Sequence, residues 1–390
     1  MGRTFNIFKK VVLSAGARLA LQPFKFMPVK HNRVLFSAYL EKQYACNPRY
    51  ISEELERLYG DRIEIGWAFR HPEEFEYLKK RGIRVLPAKG LEFIRFALSA
   101  KVICTNTYYK PSLPRRKKQF YMRTWHGGGA YKKVGSMQEM PFIERIFLGM
   151  QQSGADVYLS SSSEFTRLTL RESFGYKGEV MEIGMPRNDM LVNPPDAALI
   201  KEIKAEIGVP DDTRIALYAP TYRKDTAVHQ TNPDYADTAK ALEVRFGGKW
   251  VFIYRSHHVT MYKSQNGVDS GAVDVTAYPD MQRLLLASDV LITDYSSSIW
   301  DMSLSGKPVF LYAPDLEKYT SERDFYTDIC SWPFPLSQNQ NELDSNIARF
   351  DEAGYKAAVK RHHDELGSCE TGRAATLAAR RIGKELGLEN

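Results

Sequence analysis

Polar and basic side chains follow four apolar runs of this 390-residue chain, and each run has the composition of a short buried strand. The four polar groups are His126-Gly-Gly-Gly129, Pro220-Thr-Tyr-Arg223, Arg255-Ser-His-His258 and Asp294-Tyr-Ser-Ser-Ser298. Because ligands of open α/β sheets bind beyond the carboxyl ends of the strands, we expect these groups to converge on one site. Histidines, arginines and hydroxyls together suit a polyanionic substrate such as a nucleotide diphosphate.

Two histidines in these groups are candidates for proton transfer. A histidine with a pKa near neutrality can act as general base for an attacking alcohol, or it can protonate a leaving phosphate. A single histidine more often makes only a structural hydrogen bond. His126 and His257 differ from the other histidines because they stand beside Gly or Arg neighbours at strand ends. We therefore predict that His126 and His257 are catalytic.

A hydroxyl-rich turn follows the strand that the apolar run 290–293 predicts. Asp294 ends this strand, and Ser296, Ser297 and Ser298 open the next helix. The free N–H groups at a helix start can bind an anion, whereas a single serine there commonly caps the helix. A cap needs only one such residue, so three hydroxyls favour phosphate binding over capping alone.

Several classes of site lack their sequence signatures. The chain has no Asp-x-Asp pair, no Gly-x-x-x-x-Gly-Lys-Ser/Thr motif and no Gly-x-Ser-x-Gly motif. Its four cysteines are scattered without the spacing of zinc ligands, which indicates a reducing compartment. We therefore expect no metal and no cofactor, with basic side chains and helix dipoles stabilising the charge of the substrate instead.

The positive charge is concentrated at the N-terminus. The net charge is +7, and residues 1–33 contain seven basic side chains, with no acidic residue before Glu41. The remainder of the chain is therefore close to neutral. A protein that binds nucleic acid would more often spread basic surface over its folded domain, so we expect no nucleic-acid partner.

The same N-terminal segment has an apolar side. The residues of this stripe, at helical spacing, are Phe5, Phe8, Val12, Ala15 and Leu19. A basic amphipathic helix can lie on an anionic membrane surface, or it can dock on its own domain. No apolar run reaches the roughly 18 residues of a membrane-spanning helix.

Strands alternate with helices in two successive series, which predicts an α/β fold with parallel sheets. Pro-containing breaks near 190–210 separate the two series. The predicted segments are a basic amphipathic segment at 1–32, a Rossmann-like domain at 33–195, and a second Rossmann-like domain with a helical tail at 205–390. A helix at 141–150 and a mobile loop at 224–235 are also expected.

Motifs in this order resemble those of the CDP-glycerol glycerophosphotransferase family, whose members build teichoic acids and related polyol-phosphate polymers. The resemblance spans roughly residues 100–330. The matching segments are Trp125-His-Gly, Lys132-Lys-Val-Gly135, Ala219-Pro-Thr-Tyr-Arg223, Arg255-Ser-His257, Thr293-Asp-Tyr-Ser-Ser297 with Asp301, Lys307-Pro-Val-Phe-Leu-Tyr312, Asp315-Leu-Glu-Lys-Tyr319 and Arg323-Asp-Phe-Tyr326. Several motifs in the family's order are more specific than any one of them.

The resemblance implies a GT-B fold, in which two Rossmann-like domains face an interdomain cleft and the C-terminal domain holds most of CDP-glycerol. It implies that His126 is the base for the acceptor hydroxyl, and that His257 with Arg255 contacts the diphosphate and stabilises or protonates the leaving CMP. The implied substrate-binding residues are Gly127, Lys132, Thr221, Arg223, Arg255, Asp294, Ser296, Ser297 and Asp301. Asp301 would bind ribose or the polyol.

The resemblance further implies transfer of glycerol phosphate from CDP-glycerol to a hydroxyl of a lipid-linked or polymeric acceptor, with release of CMP, in the synthesis of a teichoic-acid-like or capsule polymer. The expected location is the cytoplasmic face of the cell membrane, where the enzyme would be peripheral. Gly128 and Gly129 replace a Thr-Pro pair of many members, and the long N-terminal domain of larger polymerases is missing. Both departures favour single transfer over polymer synthesis.

Two alternatives remain open from the sequence. One is a GT-B transferase that uses CDP-ribitol or a nucleotide sugar as donor. The other is a non-catalytic protein with a degenerate cleft that binds a membrane surface or nucleic acid. The near-neutral charge of residues 34–390 and the two candidate histidines favour an enzyme over the second alternative.

Overall fold

The computed structural model describes residues 2–389 except 109, 111, 136–141, 143, 146–150, 152–153, 222–231, 257–270 and 323. Arg223 and His257 therefore lie outside the described residues, as do most of the predicted helix at 141–150 and most of the predicted loop at 224–235. The chain divides into two compact units. The first contains Met1–His126, Val134–Asp189 and Cys369–Asn390, and the second contains Gly127–Lys133 and Met190–Ser368.

The first unit is built on a parallel sheet whose described strands have the order β3-β2-β1-β4-β5-β6-β7. These strands are β1 Lys30–Ser37, β2 Glu64–Phe69, β3 Arg84–Pro87, β4 Ala100–Thr105, β5 Phe120–Arg123, β6 Val157–Ser160 and β7 Glu179–Glu182. Val34, Trp67 and Met122 are fully buried, as expected where helices cover both faces of a sheet. The order reverses beside β1 and β4, which is where Rossmann-like sheets bind ligands.

The helices of the first unit are of several types. The α-helices are Gly2–Ala20, Cys46–Tyr59, Leu91–Ser99 and Ala374–Glu385, and the 3₁₀ helices are Gln22–Phe26, Gly60–Arg62, Pro72–Arg81 and Pro186–Asn188. Phe165–Ser173 is wound as a π-helix, a form often found at functional sites. Its wider turns lead to Phe174, whose ring packs edge-on against Trp125 at 4.7 Å between centroids.

The second unit contains a similar parallel sheet, whose described strands have the order β10-β9-β8-β11-β12-β13. These strands are β8 Thr213–Tyr218, β9 Lys249–Tyr254, β10 Ala272–Asp274, β11 Val290–Thr293, β12 Val309–Tyr312 and β13 Leu336–Ser337. Its helices are Ala197–Glu206, Tyr235–Phe246, Met281–Ala287, Ser298–Ser303, Leu316–Glu322, Ile329–Ser331, Gln340–Ala348 and Glu352–Glu365, and Asp189–Val192 spans the boundary of the units. Here the order reverses beside β8 and β11. Two Rossmann-like sheets are thus present, as predicted.

The C-terminal helix packs in the first unit, whereas the sequence analysis assigned residues 205–390 to the second domain. Ala378, Ala379 and Ile382 of this helix are fully buried in the core around β1 and β2. An amphipathic pattern shows that a helix covers an apolar surface but does not show which sheet supplies it. This last helix of the predicted tail therefore belongs with the first sheet, whereas Gln340–Ala348 and Glu352–Glu365 lie in the second unit as predicted.

The N-terminal segment forms the predicted helix, Gly2–Ala20. On this helix Val12, Leu13 and Leu19 are 53%, 62% and 73% exposed, and Phe26 in the following 3₁₀ helix is 92% exposed. These apolar side chains are therefore not docked on the first unit. No helix in the described part of the chain combines the length and the apolarity that crossing a bilayer requires.

Candidate active site

A buried amide fixes the backbone that carries His126. This segment leaves the first sheet directly after β5. Asn47, at the start of the helix Cys46–Tyr59, donates from Nδ2 to the carbonyl oxygens of Thr124 at 3.3 Å and Trp125 at 3.2 Å. Its Oδ1 accepts the backbone N–H of Arg187 at 3.0 Å. One side chain therefore holds both the residues before His126 and the loop that follows β7.

The His126 ring has a defined tautomer. Its Nδ1 lies 3.1 Å from the carbonyl oxygen of Asn106. A carbonyl oxygen can only accept, so Nδ1 carries the proton and Nε2 keeps its lone pair. The side-chain Oδ1 of Asn106 accepts the backbone N–H of Tyr39 at 2.9 Å. Because Tyr39 follows β1 and Asn106 follows β4, His126 is held where the strand order of the first sheet reverses.

Its surroundings keep His126 neutral. Burial of the ring lowers the pKa of His126 to about 4, and the positive charge of Arg187 acts in the same direction, while the hydrogen bond to the Asn106 carbonyl opposes both. Arg187 is buried, and its Nη1 donates to the carbonyl oxygen of His126 at 2.9 Å. His126 retains partial solvent exposure although protein atoms surround most of its ring. A neutral imidazole is the form that accepts a proton, and a pKa of about 4, below the near-neutral value expected from the sequence, makes it a weaker base than an exposed histidine.

Strained backbone surrounds this histidine. The non-glycine residues with positive φ in the described part of the chain are Tyr39, Leu40, Glu41, Cys46 and Trp125, with values of 47–62°. A left-handed conformation costs such residues roughly 1 kcal/mol or more each. The Trp125 ring stacks on His126 with centroids 4.4 Å apart, and the Tyr39 ring meets it edge-on at 5.9 Å. Two of the five strained residues, Tyr39 and Trp125, thus contact the His126 ring, and strain at such positions is typical of a functional site.

The glycine-rich segment after His126 packs in the second unit. A Cβ atom on Gly128 would lie 2.1 Å from Cδ1 of Trp300, so only glycine fits against this indole. The hydroxyl of Tyr131 lies 3.1 Å from Nε2 of His362, and their rings are parallel. Glycines stand here in place of the Thr-Pro pair of the resembling family, and their lack of side chains allows this segment to pack closely against Trp300.

Two lysines end this segment. Lys133 forms an ion pair with Asp324, and its backbone N–H donates to the Asp324 carbonyl oxygen at 3.0 Å. Lys132 pairs with Phe325 in a β-bridge, and its Nζ lies 5.8 Å from the centroid of the Tyr319 ring. Lys132 is half-buried and Gly127 is buried. Lys133 is thus used in an ion pair with Asp324, and Lys132 was the predicted phosphate ligand.

Thr221 and Asp294 meet where the strand order of the second sheet reverses. Thr221 follows β8 and Asp294 follows β11. The Asp294 carboxylate accepts the backbone N–H of Thr221 at 2.9 and 3.0 Å, the Thr221 hydroxyl at 2.5 Å and the backbone N–H of Tyr295 at 2.5 Å. Asp294 is almost fully buried. It therefore fixes the shape of this edge of the sheet.

The serines after Asp294 are the more accessible groups at this edge. Ser296 and Ser297 are half-buried, whereas Ser298 is buried. Ser296 Oγ accepts the Ser298 hydroxyl at 2.9 Å and the Ser298 backbone N–H at 3.3 Å. Ser297 precedes the helix Ser298–Ser303, but its side chain makes no capping hydrogen bond. The helix has only six residues, so an anion at this position would be bound mainly by the serine hydroxyls.

Arg255 lies at the same edge. It directly follows β9, and its backbone N–H donates to the carbonyl oxygen of Tyr218 at 3.0 Å. Because β9, β8 and β11 are neighbours, Arg255, Thr221 and Asp294 all follow adjacent strands at the same edge of the second sheet. Arg255 is half-buried.

Asp301 is enclosed by the second unit. It is 2% exposed, and its Oδ2 accepts a hydrogen bond from Gln282 Nε2 at 2.9 Å. This burial favours a structural role over direct contact with ribose or the polyol. Among the described residues no group of three or more His, Cys, Asp or Glu side chains could hold a metal ion.

The sequence analysis missed three residues that surround His126. These are Asn47, Asn106 and Arg187, all of them buried. Arg187 stands in the segment Met185-Pro-Arg-Asn188 directly after the β7 region, so its position after a strand is the one signal that could have found it. Asn47 acts through hydrogen bonds to backbone groups far away in the chain, and Asn106 contacts His126 through its own backbone carbonyl, so neither leaves a pattern in the sequence.

Comparison with known proteins shows the family of this chain. A family model described as CDP-glycerol:poly(glycerophosphate) glycerophosphotransferase matches residues 20–384. The teichoic acid poly(glycerol phosphate) polymerase of Bacillus subtilis (strain 168) is 28% identical over 372 residues, which are 92% of this chain and 49% of that protein. The teichoic acid glycerol-phosphate transferase of Staphylococcus aureus (strain NCTC 8325 / PS 47) is 27% identical over 371 residues, 90% of this chain and 93% of that protein.

The chain thus spans about half the length of the Bacillus subtilis relative. A solved structure of the wall teichoic acid polymerase TagF superposes with a TM-score of 0.79 at 25% identity and covers 98% of both chains. This likeness confirms the predicted GT-B fold with its two Rossmann-like domains. The interdomain cleft and the roles of the site residues stay predictions.

Proposed function

Because the chain belongs to the CDP-glycerol:poly(glycerophosphate) glycerophosphotransferase family, we propose that it transfers glycerol phosphate from CDP-glycerol to an acceptor hydroxyl and releases CMP. The acceptor is a lipid-linked or polymeric polyol phosphate of a teichoic-acid-like or capsule polymer. The observation that carries this proposal is the hydrogen bond from His126 Nδ1 to the Asn106 carbonyl, since it leaves Nε2 ready to accept a proton.

His126 activates the acceptor. Its Nε2 accepts the proton of the acceptor hydroxyl while the oxygen attacks the phosphorus that bears glycerol. The new P–O bond forms as the bond from that phosphorus to the CMP oxygen breaks, and CMP leaves with the bonding electron pair. Asn106 orients the imidazole through Nδ1 and stabilises the imidazolium that forms.

The second unit holds the donor. Its ligands for the phosphates are the hydroxyls of Ser296 and Ser297 and the guanidinium of Arg255, with Lys132 as a further cation. Arg223 and His257 complete this set as predicted from the sequence, and His257 protonates or stabilises the leaving CMP. Asp294 acts indirectly in this proposal, because its carboxylate already binds Thr221 and would repel a phosphate.

A matched pair of histidine variants tests the base. His126→Ala should lose most transfer of glycerol phosphate from CDP-glycerol to a polyol-phosphate acceptor, a decrease of about 10²-fold or more in kcat/KM. His71→Ala changes an exposed histidine of the same unit and should leave the rate unchanged. CDP-glycerol binding should survive in both variants, which separates a loss of chemistry from a loss of folding. Activity of His126→Ala equal to that of the unchanged enzyme rules out His126 as base.

The donor and the number of transfers need separate measurements. Thermal stabilisation by CDP-glycerol but not by CDP-ribitol or UDP-sugars would support the proposed donor, since a ligand of the folded state raises the melting temperature. Product masses would then show either one added glycerol phosphate or a ladder. Stronger stabilisation by CDP-ribitol would reassign the donor.

We also propose that the enzyme is peripheral to the cytoplasmic face of the membrane. The exposed apolar side chains of the N-terminal helix, with the basic residues of the same segment, support this location. Deletion of residues 1–21, which leaves the helix Gln22–Phe26 and β1 intact, should weaken binding to vesicles that contain anionic lipid. Unchanged binding of this deletion variant would remove the helix as the anchor.

A further inference from the structure

A basic cavity lies at the other end of the first sheet from His126. Its volume is about 490 Å³, and it opens beside the amino ends of β1 and β3. The lining residues are Met27, Pro28, Lys30, Arg33, Arg84, Leu91, Glu92, Arg95, Phe96 and Ser99. Because the strands are parallel, the carboxyl ends that carry the candidate active site are at the opposite edge.

Positive charge in this cavity exceeds the negative charge that balances it. One carboxylate, Glu64, is shared by three cations: it lies 2.8 Å from Arg33, 3.4 Å from Arg84 and 3.8 Å from Lys30. Among the described residues, the ion-pair partner of Glu92 is Arg84, at 3.5 Å. Arg95 is exposed and forms no ion pair with the described residues. Four cations against two carboxylates leave an excess of two positive charges.

The wall of the cavity is rigidly built. Arg33 is buried, and its Nη1 donates to the Ser99 hydroxyl at 2.5 Å. Its guanidinium lies 4.3 Å from the centroid of the Phe96 ring. Arg116 anchors the rim by donating to the Met27 carbonyl oxygen at 2.5 Å. Arg33 is therefore fixed in the wall of the recess, while Lys30, Arg84 and Arg95 present exposed side chains at its opening.

Apolar residues project beside this recess. Phe26, which directly precedes the rim residues Met27 and Pro28, is 92% exposed, and Leu91 in the lining is 49% exposed. The exposed apolar side of the helix Gly2–Ala20 lies just upstream in the chain. Apolar side chains next to a cluster of cations are typical of a surface that contacts the headgroup region of a bilayer.

We propose that this cavity binds the phosphate of an anionic phospholipid headgroup, with Arg84 and Arg95 as its direct ligands and Phe26 inserted beside it. The site would hold the protein at a fixed orientation, which the N-terminal helix alone does not specify. This inference rests on the proposed membrane location but not on the proposed transfer reaction. A soluble phosphate compound would need the cations alone and would not account for the exposed Phe26.

Charge variants of the full chain test this site on vesicles of phosphatidylcholine with and without phosphatidylglycerol. Arg95→Gln removes one cation from the cavity, and Arg349→Gln removes one from an exposed position in the second unit. Glu92→Gln removes a carboxylate and so adds to the excess positive charge. Melting temperatures and transfer to a soluble acceptor should stay unchanged in all three variants, which makes the vesicle result independent of the reaction.

On vesicles with phosphatidylglycerol, Arg95→Gln should bind about fivefold more weakly and Glu92→Gln about fivefold more tightly, while Arg349→Gln matches the unchanged protein. On phosphatidylcholine alone the four proteins should bind equally. Equal weakening by Arg95→Gln and Arg349→Gln would overturn the site, because net charge alone would then explain binding. Displacement by inorganic phosphate at the same concentration as lipid phosphate would overturn the lipid assignment.

Discussion

The imidazole Nδ1 of His126 lies 3.1 Å from the carbonyl oxygen of Asn106, and this contact determines which ring nitrogen can act as a base. Asn106 directly follows β4 and is itself held by the backbone N–H of Tyr39 after β1. The ring is thus oriented by the two strands at which the sheet order reverses. Several properties of the enzyme follow from this arrangement and from its counterpart in the second unit.

The pH profile of kcat/KM should show the lowered pKa of the buried His126. With a pKa of about 4, His126 is already unprotonated at neutral pH, so its contribution to kcat/KM should be lost only as the pH falls through about 4. Arg187→Met should move this acidic limb to higher pH, because the neighbouring positive charge lowers the pKa. Arg187→Lys keeps the charge and should move it less. A pH profile of kcat/KM with an acidic limb near about pH 6.5 would contradict this environment of His126, provided that the limb is absent in His126→Gln.

Asn47 should be required for activity beyond its effect on stability. Asn47→Ala leaves the carbonyl oxygens of Thr124 and Trp125 without this donor, which should cost about 1–3 kcal/mol of unfolding free energy. Because these residues precede His126, kcat/KM should fall at least tenfold. Asn346→Ala removes comparable contacts to Leu336 and Ser337 in the second unit and should destabilise without that loss. Equal activity of the two variants would show that Asn47 only stabilises the fold.

The sequence predicted the parts of this fold that depend on local composition. The strand Val290–Thr293 has the predicted bounds, because the polar residue Asp294 ends this apolar run. The two-residue strand β13 is too short to show a period, and the packing of the C-terminal helix depends on a distant sheet. The edge that carries Thr221 and Asp294 was predictable because motifs mark it. Asn47 and Asn106 were not, since their partners are backbone atoms far away in the chain.

Gly128 should not tolerate a side chain. Gly128→Ala places a Cβ atom 2.1 Å from Cδ1 of the fully buried Trp300, so the glycine-rich segment or the indole must move. We expect a loss of about 1–3 kcal/mol of unfolding free energy, as for overpacked cores, together with lower kcat/KM because the segment directly follows His126. Gly16→Ala, where no atom lies within 4 Å of the new Cβ, is the matched control. Thermal melting and initial rates of both variants check this prediction.

The Thr221 hydroxyl should matter for donor binding. Thr221→Val keeps the shape of the side chain and the backbone hydrogen bond but removes the hydroxyl that donates to Asp294 at 2.5 Å. A hydrogen bond to a charged group contributes about 1.5–3 kcal/mol, so this edge of the sheet should loosen. We expect the Kd for CDP-glycerol to rise about tenfold, measured by calorimetry. Thr320→Val, at an exposed helix position, should bind CDP-glycerol with an unchanged Kd. An unchanged Kd for Thr221→Val would show that this edge of the sheet does not contribute to donor binding.

His363 should make the second unit sensitive to acid. Burial lowers the pKa of His363 to about 4, His362 acts in the same direction and Asp364 opposes them, while Nε2 lies 2.8 Å from the Ser303 hydroxyl. The unfolded chain binds the proton at about pH 6.5, so between about pH 6.5 and 4 it holds more protons than the folded chain. The stability that His363 provides is therefore complete above about pH 6.5 and is lost as the pH falls toward 4.

Urea unfolding at about pH 7 and about pH 5, followed by tryptophan fluorescence, measures this effect because Trp300 packs against the His363 ring at 4.3 Å. His363→Gln removes the titrating group, so its urea midpoint should fall less between the two pH values than the midpoint of the unchanged protein. His71→Gln alters an exposed histidine and should reproduce the full decrease. If all three proteins lose the same stability, protonation of His363 does not contribute, and other groups must account for the acid sensitivity.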